Sequence, residues 1–271
     1  MKDVILAGGL GTRISEESHL RPKPMIEIGG APILWHIMKI YSYYGYNDFI
    51  ICCGYKGHMI KEYFADYYLH RSDITFDFSD NNKLVVHNNV AEPWRVTVVD
   101  TGLNTQTGGR VKRVQKYIGD EPFMLTYGDG VSNVDLDALV RTHRTSGKAV
   151  TLTAIQPGGQ FGVLDIEDST STITAFRGES TRTAVGLTCP GFMVLEPKVF
   201  EYLDGDGCIL ERAPLEQMSP DGLVGVYKHG GFWQCMDTQR DELCWKAIGR
   251  TVPRLEALVE AFSGGRGFEM R

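Results

Sequence analysis

Short apolar runs alternate with longer segments of helical periodicity in the first part of the chain. Residues 4–7 form an apolar run that ends at a glycine-rich turn, and residues 31–44 carry apolar side chains at helical spacing. Residues 48–53 repeat the buried-strand pattern, and residues 57–69 repeat the helical pattern. This order of strand, helix, strand and helix predicts a parallel sheet covered by helices on both faces.

The middle of the chain has a different pattern. Residues 74–78, 84–87 and 96–99 are short, partly alternating runs between turns rich in Asp and Asn, which predicts hairpin strands lying over the main sheet. The α/β pattern then resumes. Strands are predicted at 123–126 and 150–155, at three places between 161 and 195, and at 223–227. Helices are predicted at 135–145, 197–203, 210–218 and 238–248.

The chain reads as one domain. Its 271 residues contain no repeat, low-complexity tract or long linker, and they are enough to bury a full core. We therefore expect an α/β domain over residues 1–262 and a flexible C-terminal tail at 263–271.

Charge and hydropathy exclude two classes of partner. The 28 basic residues against 34 acidic ones give a net charge of −6, which argues against a broad surface for nucleic acid. No apolar run approaches the roughly 20 residues that span a bilayer, and the apolar stretch at the N-terminus is too short for a signal peptide. We expect a cytoplasmic protein without nucleic-acid or membrane partners. Its six cysteines form no CxxC pair, which predicts reduced thiols.

A glycine-rich turn follows the first predicted strand. Gly8, Gly9 and Gly11 lie in the sequence GGLGTR. Glycines in such a turn let backbone N–H groups approach an anion closely, and phosphate is the natural ligand. The turn matches neither the P-loop nor the G-x-G-x-x-G dinucleotide pattern. A tight turn without a chemical role is the alternative interpretation.

Three charged residues are candidates for the chemistry. Lys23 lies between two prolines, which hold its side chain in a defined direction, although a solvated basic segment is the alternative. Asp129 follows a buried strand in YGDG, where open α/β sheets bind ligands, so it is a candidate metal ligand. Asp237, its candidate partner, directly precedes a predicted helix, where Asp is usually an N-cap. Together with the glycine turn, these residues match Mg²⁺-dependent phosphoryl or nucleotidyl transfer.

Several segments resemble a known enzyme family. AGGLGTR, RPKPMIEIGGAPILWHIM, DFIICCGYKG, VDTG, TGGR, TYGDG and GFWQCMDT closely resemble the sugar-1-phosphate nucleotidylyltransferases. YKGHMIKEYF, EPWRVTVVDTG and TGGR favour the cytidylyl branch, the glucose-1-phosphate cytidylyltransferases. The resemblance implies a Rossmann-like three-layer α/β fold with a mostly parallel mixed sheet and β-rich insertions. It also implies a homo-oligomer that uses Mg²⁺ to transfer CMP from CTP to a sugar 1-phosphate, which forms a CDP-sugar and releases pyrophosphate.

The resemblance also implies roles for individual residues. Arg13, Lys23 and Asp129 would be catalytic, with Arg13 and Lys23 on the nucleotide phosphates, and Asp129 and Asp237 would hold Mg²⁺. The residues implied to bind the nucleotide are Leu6, Gly8, Gly9, Gly11, Thr12, Thr107, Gly108, Gly109, Arg110 and Gly128, with residues 54–56 bordering the base and Arg113 nearby. Those implied to bind the acceptor are Tyr127, Gly162, Arg177 and Glu179.

The acceptor side departs from the family pattern. Ser180 stands where the family has a lysine that holds the sugar phosphate, and residues 189–191 read Cys-Pro-Gly in place of Asn-Gly-Gly. A buried phosphate needs a balancing cation. We therefore expect an acceptor that is not simply glucose 1-phosphate, such as another phosphorylated or phosphonate compound. The alternative retains the sugar phosphate and replaces the lysine by Arg177 or Arg182.

A non-catalytic nucleotide-binding regulator is a further interpretation from a different functional class. The residues that argue against it are Arg13, Lys23, Asp129 and Asp237, because a protein that only binds a nucleotide has no need of two metal-binding carboxylates.

Overall fold

The computed structural model describes residues 1–11, 19–155, 163–167, 172–177, 188–238 and 241, with backbone alone at 163–167 and 172–177. The strands are β1 (Asp3–Ala7), β2 (Glu27–Ile28), β3 (Ala31–Pro32), β4 (Asp48–Cys53), β5 (Asp73–Asp77), β6 (Lys83–His87), β7 (Arg95–Asp100), β8 (Phe123–Tyr127), β9 (Gly130–Ser132), β10 (Val150–Ala154), β11 (Val163–Glu167), β12 (Thr172–Arg177), β13 (Met193–Leu195), β14 (Val224–Lys228) and β15 (Trp233–Cys235). The α-helices are α1 (Ile33–Tyr43), α2 (Gly57–Ala65), α3 (Tyr67–His70), α4 (Thr107–Arg113), α5 (Gln115–Ile118), α6 (Leu136–Ser146) and α7 (Ala213–Met218). Lys23–Met25 and Pro197–Tyr202 are 3₁₀ helices.

Nine of the described strands form one mixed sheet. Their order is β11, β12, β14, β10, β13, β8, β1, β4 and β7. At its centre β1 lies parallel to β4 on one side and to β8 on the other, while β13 runs antiparallel to its two neighbours. This arrangement confirms the predicted α/β fold with a mixed sheet.

The core has one apolar layer on each face of this sheet. Strand β1 contributes to both layers, because Ile5 and Ala7 pack in one while Val4 and Leu6 pack in the other. Helix α1 covers the first face with residues such as Ile37. A parallel strand covered on both faces has no polar side to present to water, which explains the unbroken apolar sequence of residues 4–7 in β1.

The predicted hairpin is confirmed for two of its three strands. β5 and β6 pair antiparallel with each other in a separate two-stranded sheet. The prediction for the third run was wrong, because β7 pairs parallel with β4 at the edge of the main sheet. Two contacts return the chain to that edge: the Arg95 N–H donates to the carbonyl of Asn47 at 2.8 Å, and the Trp94 ring packs edge-on against Phe49.

Other elements differ from the sequence pattern in smaller ways. The helix expected at 57–69 is two helices, α2 and α3, which meet at Asp66. Helices α4 and α5 were not predicted, because the glycines at 108 and 109 interrupt the apolar spacing. The helix expected at 238–248 and the tail at 263–271 lie outside the described residues, except for residues 238 and 241.

Two expectations about the whole chain concern membranes and thiols. Within the described part of the chain, no helix is long and apolar enough to cross a bilayer. The five cysteines in that part are free thiols, as predicted, and burial raises the pKa of Cys53, Cys189 and Cys235 to about 12. These thiols therefore remain protonated at neutral pH.

Asp3, at the start of the central strand, predicts a measurable pH dependence of stability. Its side chain is fully buried, and among the described residues neither carboxyl oxygen has a hydrogen-bond partner. Burial raises its pKa well above the usual value, so folding favours the protonated form and stability falls as the pH rises above the pKa of the unfolded chain. Asp3→Asn has no proton to lose. We expect its free energy of unfolding to exceed that of the wild type by about 1 kcal/mol or more near pH 8, and the difference to shrink toward pH 4.

Urea unfolding across that pH range checks this expectation. Asp120→Asn is the matched control, since Asp120 is exposed. A constant difference between Asp3→Asn and wild type at every pH would contradict it.

Candidate active site

A cavity of about 230 Å³ opens where the central strands end. It lies beyond the carboxyl ends of β1 and β8, beside the start of α4. Its lining residues are Leu6, Ala7, Gly8, Gly9, Gly11, Lys23, Pro24, Thr105, Gln106, Thr107, Arg110, Tyr127, Gly128 and Asp129. The structure thus brings most of the residues assigned to the nucleotide together with Lys23, Asp129 and Tyr127.

Gly8 and Arg110 form the floor of this cavity. A Cβ atom at Gly8 would lie 2.1 Å from Nη1 of Arg110, so a larger residue there would displace the guanidinium group. The Arg110 guanidinium is buried and donates five hydrogen bonds. Their acceptors are the carbonyl oxygens of Gly8, Cys53, Gly102 and Leu103 and the hydroxyl of Thr101. Arg110 therefore holds the glycine turn against the ends of β4 and β7.

The rest of the glycine turn has fewer steric constraints. Gly11 has a φ of +66°, a left-handed conformation that favours glycine, whereas a Cβ at Gly9 would meet nothing. Thr12 and Arg13, which the sequence assigns to the nucleotide, lie outside the described residues.

Lys23 bridges two carboxylates beside the glycine turn. Its Nζ lies 2.9 Å from Oδ2 of Asp129 and 2.6 Å from Oδ1 of Asp237. Burial by itself would lower the pKa of Lys23, but the charges of Asp129 and Asp237 and the hydrogen bonds to them outweigh burial and raise it. The ammonium group therefore stays protonated at neutral pH, and the two carboxylates converge on one point.

A short two-stranded ribbon brings these carboxylates together. β9 pairs antiparallel with β15, with Gly130 opposite Cys235. The Met236 N–H donates to the carbonyl of Asp129 at 2.9 Å, which aligns the residues that flank the ribbon. Asp129 and Asp237 are 108 positions apart, and this ribbon places them at the same edge of the sheet.

A capping box directly follows Asp237 in the chain. Thr238 and Asp241 form the reciprocal pair of a capping box: the Thr238 N–H donates to Oδ2 of Asp241 at 2.8 Å, and the Asp241 N–H donates to Oγ1 of Thr238 at 3.2 Å. Thr238 thus holds the N-cap position. The carboxylate of Asp237 bonds to Lys23.

The TGGR segment contributes to the cavity unevenly. Thr107 lines it, but Gly108 and Gly109 pack against the chain at 203–208, where a Cβ at Gly108 would lie 2.7 Å from Sγ of Cys208. Arg113 forms an exposed ion pair with Asp206. At the proposed base side, Lys56 donates to the backbone carbonyls of residues 19 and 20.

The acceptor side is described only in part. Tyr127 lines the cavity and packs against Gly191, whose φ of +110° and tight contact both require glycine. Trp233 donates to the Pro190 carbonyl at 3.2 Å. Gly162 and Glu179 lie outside the described residues, and so does the side chain of Arg177.

Three residues at this site were missed by sequence reasoning. Thr105 and Gln106 line the cavity just before α4. Glu211 accepts hydrogen bonds from Thr107 and Tyr127, which both line it. No local motif marks Glu211; the only available signal for the other two was their position directly before TGGR.

Comparison with known proteins places the chain among nucleotide-transferring enzymes. The family model described as nucleotidyl transferase matches residues 2–207. A glucose-1-phosphate cytidylyltransferase of Salmonella typhi is 52% identical over 244 residues, which are 90% of this chain and 93% of that protein. A probable glucose-1-phosphate cytidylyltransferase of Bacillus subtilis (strain 168) is 46% identical, over 90% of this chain and 94% of that protein.

Solved structures share the fold. HddC from Yersinia pseudotuberculosis has a TM-score of 0.70 at 22% identity, over 91% of this chain and 98% of that one. A UDP-glucose pyrophosphorylase complexed with UDP-glucose has a TM-score of 0.74 at 16% identity, over 92% of this chain and 98% of that one. These likenesses support the Rossmann-like α/β assignment.

Proposed function

The chain belongs to the nucleotidyl transferase family, and we propose that it transfers CMP from CTP to a sugar 1-phosphate of the glucose type. The products would be a CDP-sugar and pyrophosphate. The choice of CTP and of the sugar phosphate is supported by relatives that are 52% and 46% identical over nine-tenths of the chain. The observation that carries the proposal is the convergence of Lys23, Asp129 and Asp237 beside the glycine turn.

The proposed reaction is a single in-line displacement. A phosphate oxygen of the sugar phosphate forms a bond to the α-phosphorus of CTP, while the bond from that phosphorus to the oxygen bridging the β-phosphate breaks and pyrophosphate leaves. Negative charge accumulates on phosphate oxygens, so a fixed cation next to them lowers the barrier. Lys23 supplies that cation, because its ammonium group is protonated and held between two prolines. The glycine turn lets backbone N–H groups approach the remaining phosphate oxygens.

The donor set fits Mg²⁺. Asp129 and Asp237 offer oxygen ligands that converge within hydrogen-bond distance of one ammonium group. Mg²⁺ is commonly bound by one or two carboxylates together with substrate phosphates, and the described residues contain no group of three His, Cys, Asp or Glu side chains that would enclose a metal by themselves. When bound, Mg²⁺ would neutralise phosphate charge. We therefore propose a metal shared between Asp129, Asp237 and the nucleotide.

Pyrophosphate release from CTP tests the proposed function. The wild type should release pyrophosphate when a sugar 1-phosphate is present, and CTP should be preferred over ATP and GTP, with dTTP and UTP as the closest competitors. Misplacing one hydrogen bond to the base costs about 1–3 kcal/mol, which predicts strong but incomplete selectivity. Equal turnover of CTP and dTTP would contradict the cytidylyl assignment. Absence of release with every acceptor would favour a non-catalytic regulator.

A second candidate changes only the acceptor. Ser180 in place of lysine and Cys-Pro-Gly at 189–191 favour a different phosphorylated or phosphonate compound. A panel of such acceptors in the same assay separates the two candidates. Efficient turnover of glucose 1-phosphate that is lost in Arg177→Ala or Arg182→Ala supports the sugar phosphate; weak turnover that rises in Ser180→Lys supports the changed acceptor.

A further inference from the structure

One carboxylate joins two residues that line the cavity. Glu211 accepts a hydrogen bond from the Tyr127 hydroxyl through Oε1 and one from the Thr107 hydroxyl, at 2.6 Å, through Oε2. Tyr127 ends β8 and Thr107 begins α4, and both residues line the cavity. Glu211 itself comes from the chain just before α7, so three distant segments meet at this carboxylate.

These bonds determine how the two hydroxyls are oriented. A hydroxyl has one proton to donate, and a carboxylate has none. Both protons are given to Glu211, and Oγ1 of Thr107 also accepts from the Leu210 N–H at 3.0 Å. The hydroxyl oxygens of Thr107 and Tyr127 therefore have only lone pairs available, so each can accept a hydrogen bond from a ligand but cannot donate one. At the wall formed by Thr107 and Tyr127, these two hydroxyls therefore accept hydrogen bonds and do not donate them.

The segment that carries Glu211 is itself fixed to α4. The Gln106 N–H donates to the carbonyl of Asp206 at 2.8 Å, and the Gly109 N–H donates to the carbonyl of Cys208 at 3.2 Å. Arg113 adds two hydrogen bonds to the Asp206 carboxylate. Because these contacts leave no space for a Cβ at Gly108 or Gly109, the glycines of TGGR serve to dock this segment.

We infer that Glu211 is a positioning residue that fixes the hydroxyls of Thr107 and Tyr127 as hydrogen-bond acceptors, and thereby selects a substrate group that donates an N–H or O–H to this wall. The inference rests on the proposed function, which supplies two such donors: the exocyclic amine of cytosine and the hydroxyls of the sugar. Uracil, in contrast, has a carbonyl at the corresponding position, whose lone pairs would face those of the wall.

Glu211→Gln tests this role with little change in shape. The amide introduces an N–H donor, so one hydroxyl must accept from it and turn its own proton toward the cavity. We expect KM for one substrate to rise on the order of 10-fold while kcat changes little. If the donor is the cytosine amine, CTP weakens and UTP gains. If it is a sugar hydroxyl, KM rises for the sugar phosphate only.

Three further variants keep the test specific. Glu216→Gln is the matched control, since Glu216 is exposed on α7. Tyr127→Phe and Thr107→Val each remove one hydroxyl, and the variant that reproduces the KM effect identifies the contact. Adding Glu211→Gln to that variant should raise KM little further, because the hydroxyl that Glu211 orients is already absent.

Direct titration separates this inference from the proposed function. Calorimetry with CTP, UTP and glucose 1-phosphate measures binding to the wild type and to Glu211→Gln without turnover. If the wild type releases no pyrophosphate, the proposed function fails. Altered binding of one of these probes by Glu211→Gln would still support the proposed role of Glu211 in orienting the two hydroxyls. Unchanged binding and unchanged KM for every probe, or a loss confined to stability and kcat, would overturn the inference.

Discussion

Replacing Lys23 by alanine is expected to lower kcat by about 10²–10³-fold without unfolding the protein. Lys23 is the cation that the structure places against both site carboxylates, and its ammonium group is protonated at neutral pH. Removing one group that stabilises charge in the transition state has an effect of this size, because a mobile water molecule stabilises that charge less well than a fixed cation does. Pyrophosphate release at saturating CTP and acceptor measures the loss.

The same variant has a second expected effect, which does not depend on turnover. The ammonium group of Lys23 lies between the carboxylates that we propose for Mg²⁺, so it competes with a metal when no nucleotide is present. Lys23→Ala should therefore bind Mn²⁺, a probe of the site, more tightly than the wild type in calorimetric titrations without CTP. Lys83→Ala, at an exposed position, is the control. Near-normal turnover in a folded Lys23→Ala protein would remove the main support for the phosphate assignment.

Asp129→Ala and Asp237→Asn are expected to reduce turnover by at least about 10²-fold each. Each variant removes one of two carboxylates that converge on the same point, so the proposed Mg²⁺ would lose one of its protein ligands. Asp237→Asn keeps the shape of the side chain but not its charge. Raising the Mg²⁺ concentration should therefore restore part of its activity.

Thr238→Ala distinguishes this effect from helix capping. Thr238 makes the capping bonds with Asp241, so its replacement should lower the free energy of unfolding by about 1 kcal/mol with a much smaller effect on rate. Urea unfolding and pyrophosphate release on the same protein samples provide both readouts. If Asp237→Asn loses stability like Thr238→Ala but keeps its rate, the metal role of Asp237 is wrong.

Some of the candidate site follows from local sequence alone. A short apolar run bounded by glycine-containing turns is typical of a buried strand, so Gly8 was expected just beyond the end of β1 and Asp129 just beyond the end of β8. The prolines beside Lys23 restrict its backbone whatever surrounds it, and the structure has a 3₁₀ turn there. Each of these predictions depends on residues within a few positions of one another.

Contacts with distant partners were not predicted. Arg110 was assigned to the nucleotide from its motif, and that motif gave no sign of its hydrogen bonds to the backbone carbonyls of three strand ends. The run that became β7 has the same alternation as a hairpin strand, but the Arg95–Asn47 hydrogen bond and the packing of Trp94 on Phe49 place it beside β4. Alternation of apolar and polar residues shows which side chains point to each face of a sheet, but it does not show which strand is the neighbour.

The sequence by itself determined the α/β order of elements and the buried central strand, and it marked the three charged residues that we propose for the chemistry, since these depend on periodicity and backbone restriction. Tertiary structure alone decided that Asp237 joins Asp129 through the β9–β15 ribbon, and that Glu211 reaches Thr107 and Tyr127. Those contacts arise from packing between segments about a hundred residues apart. The side-chain pattern of each segment is compatible with many neighbouring segments. Packing of the whole core determines which of them it contacts.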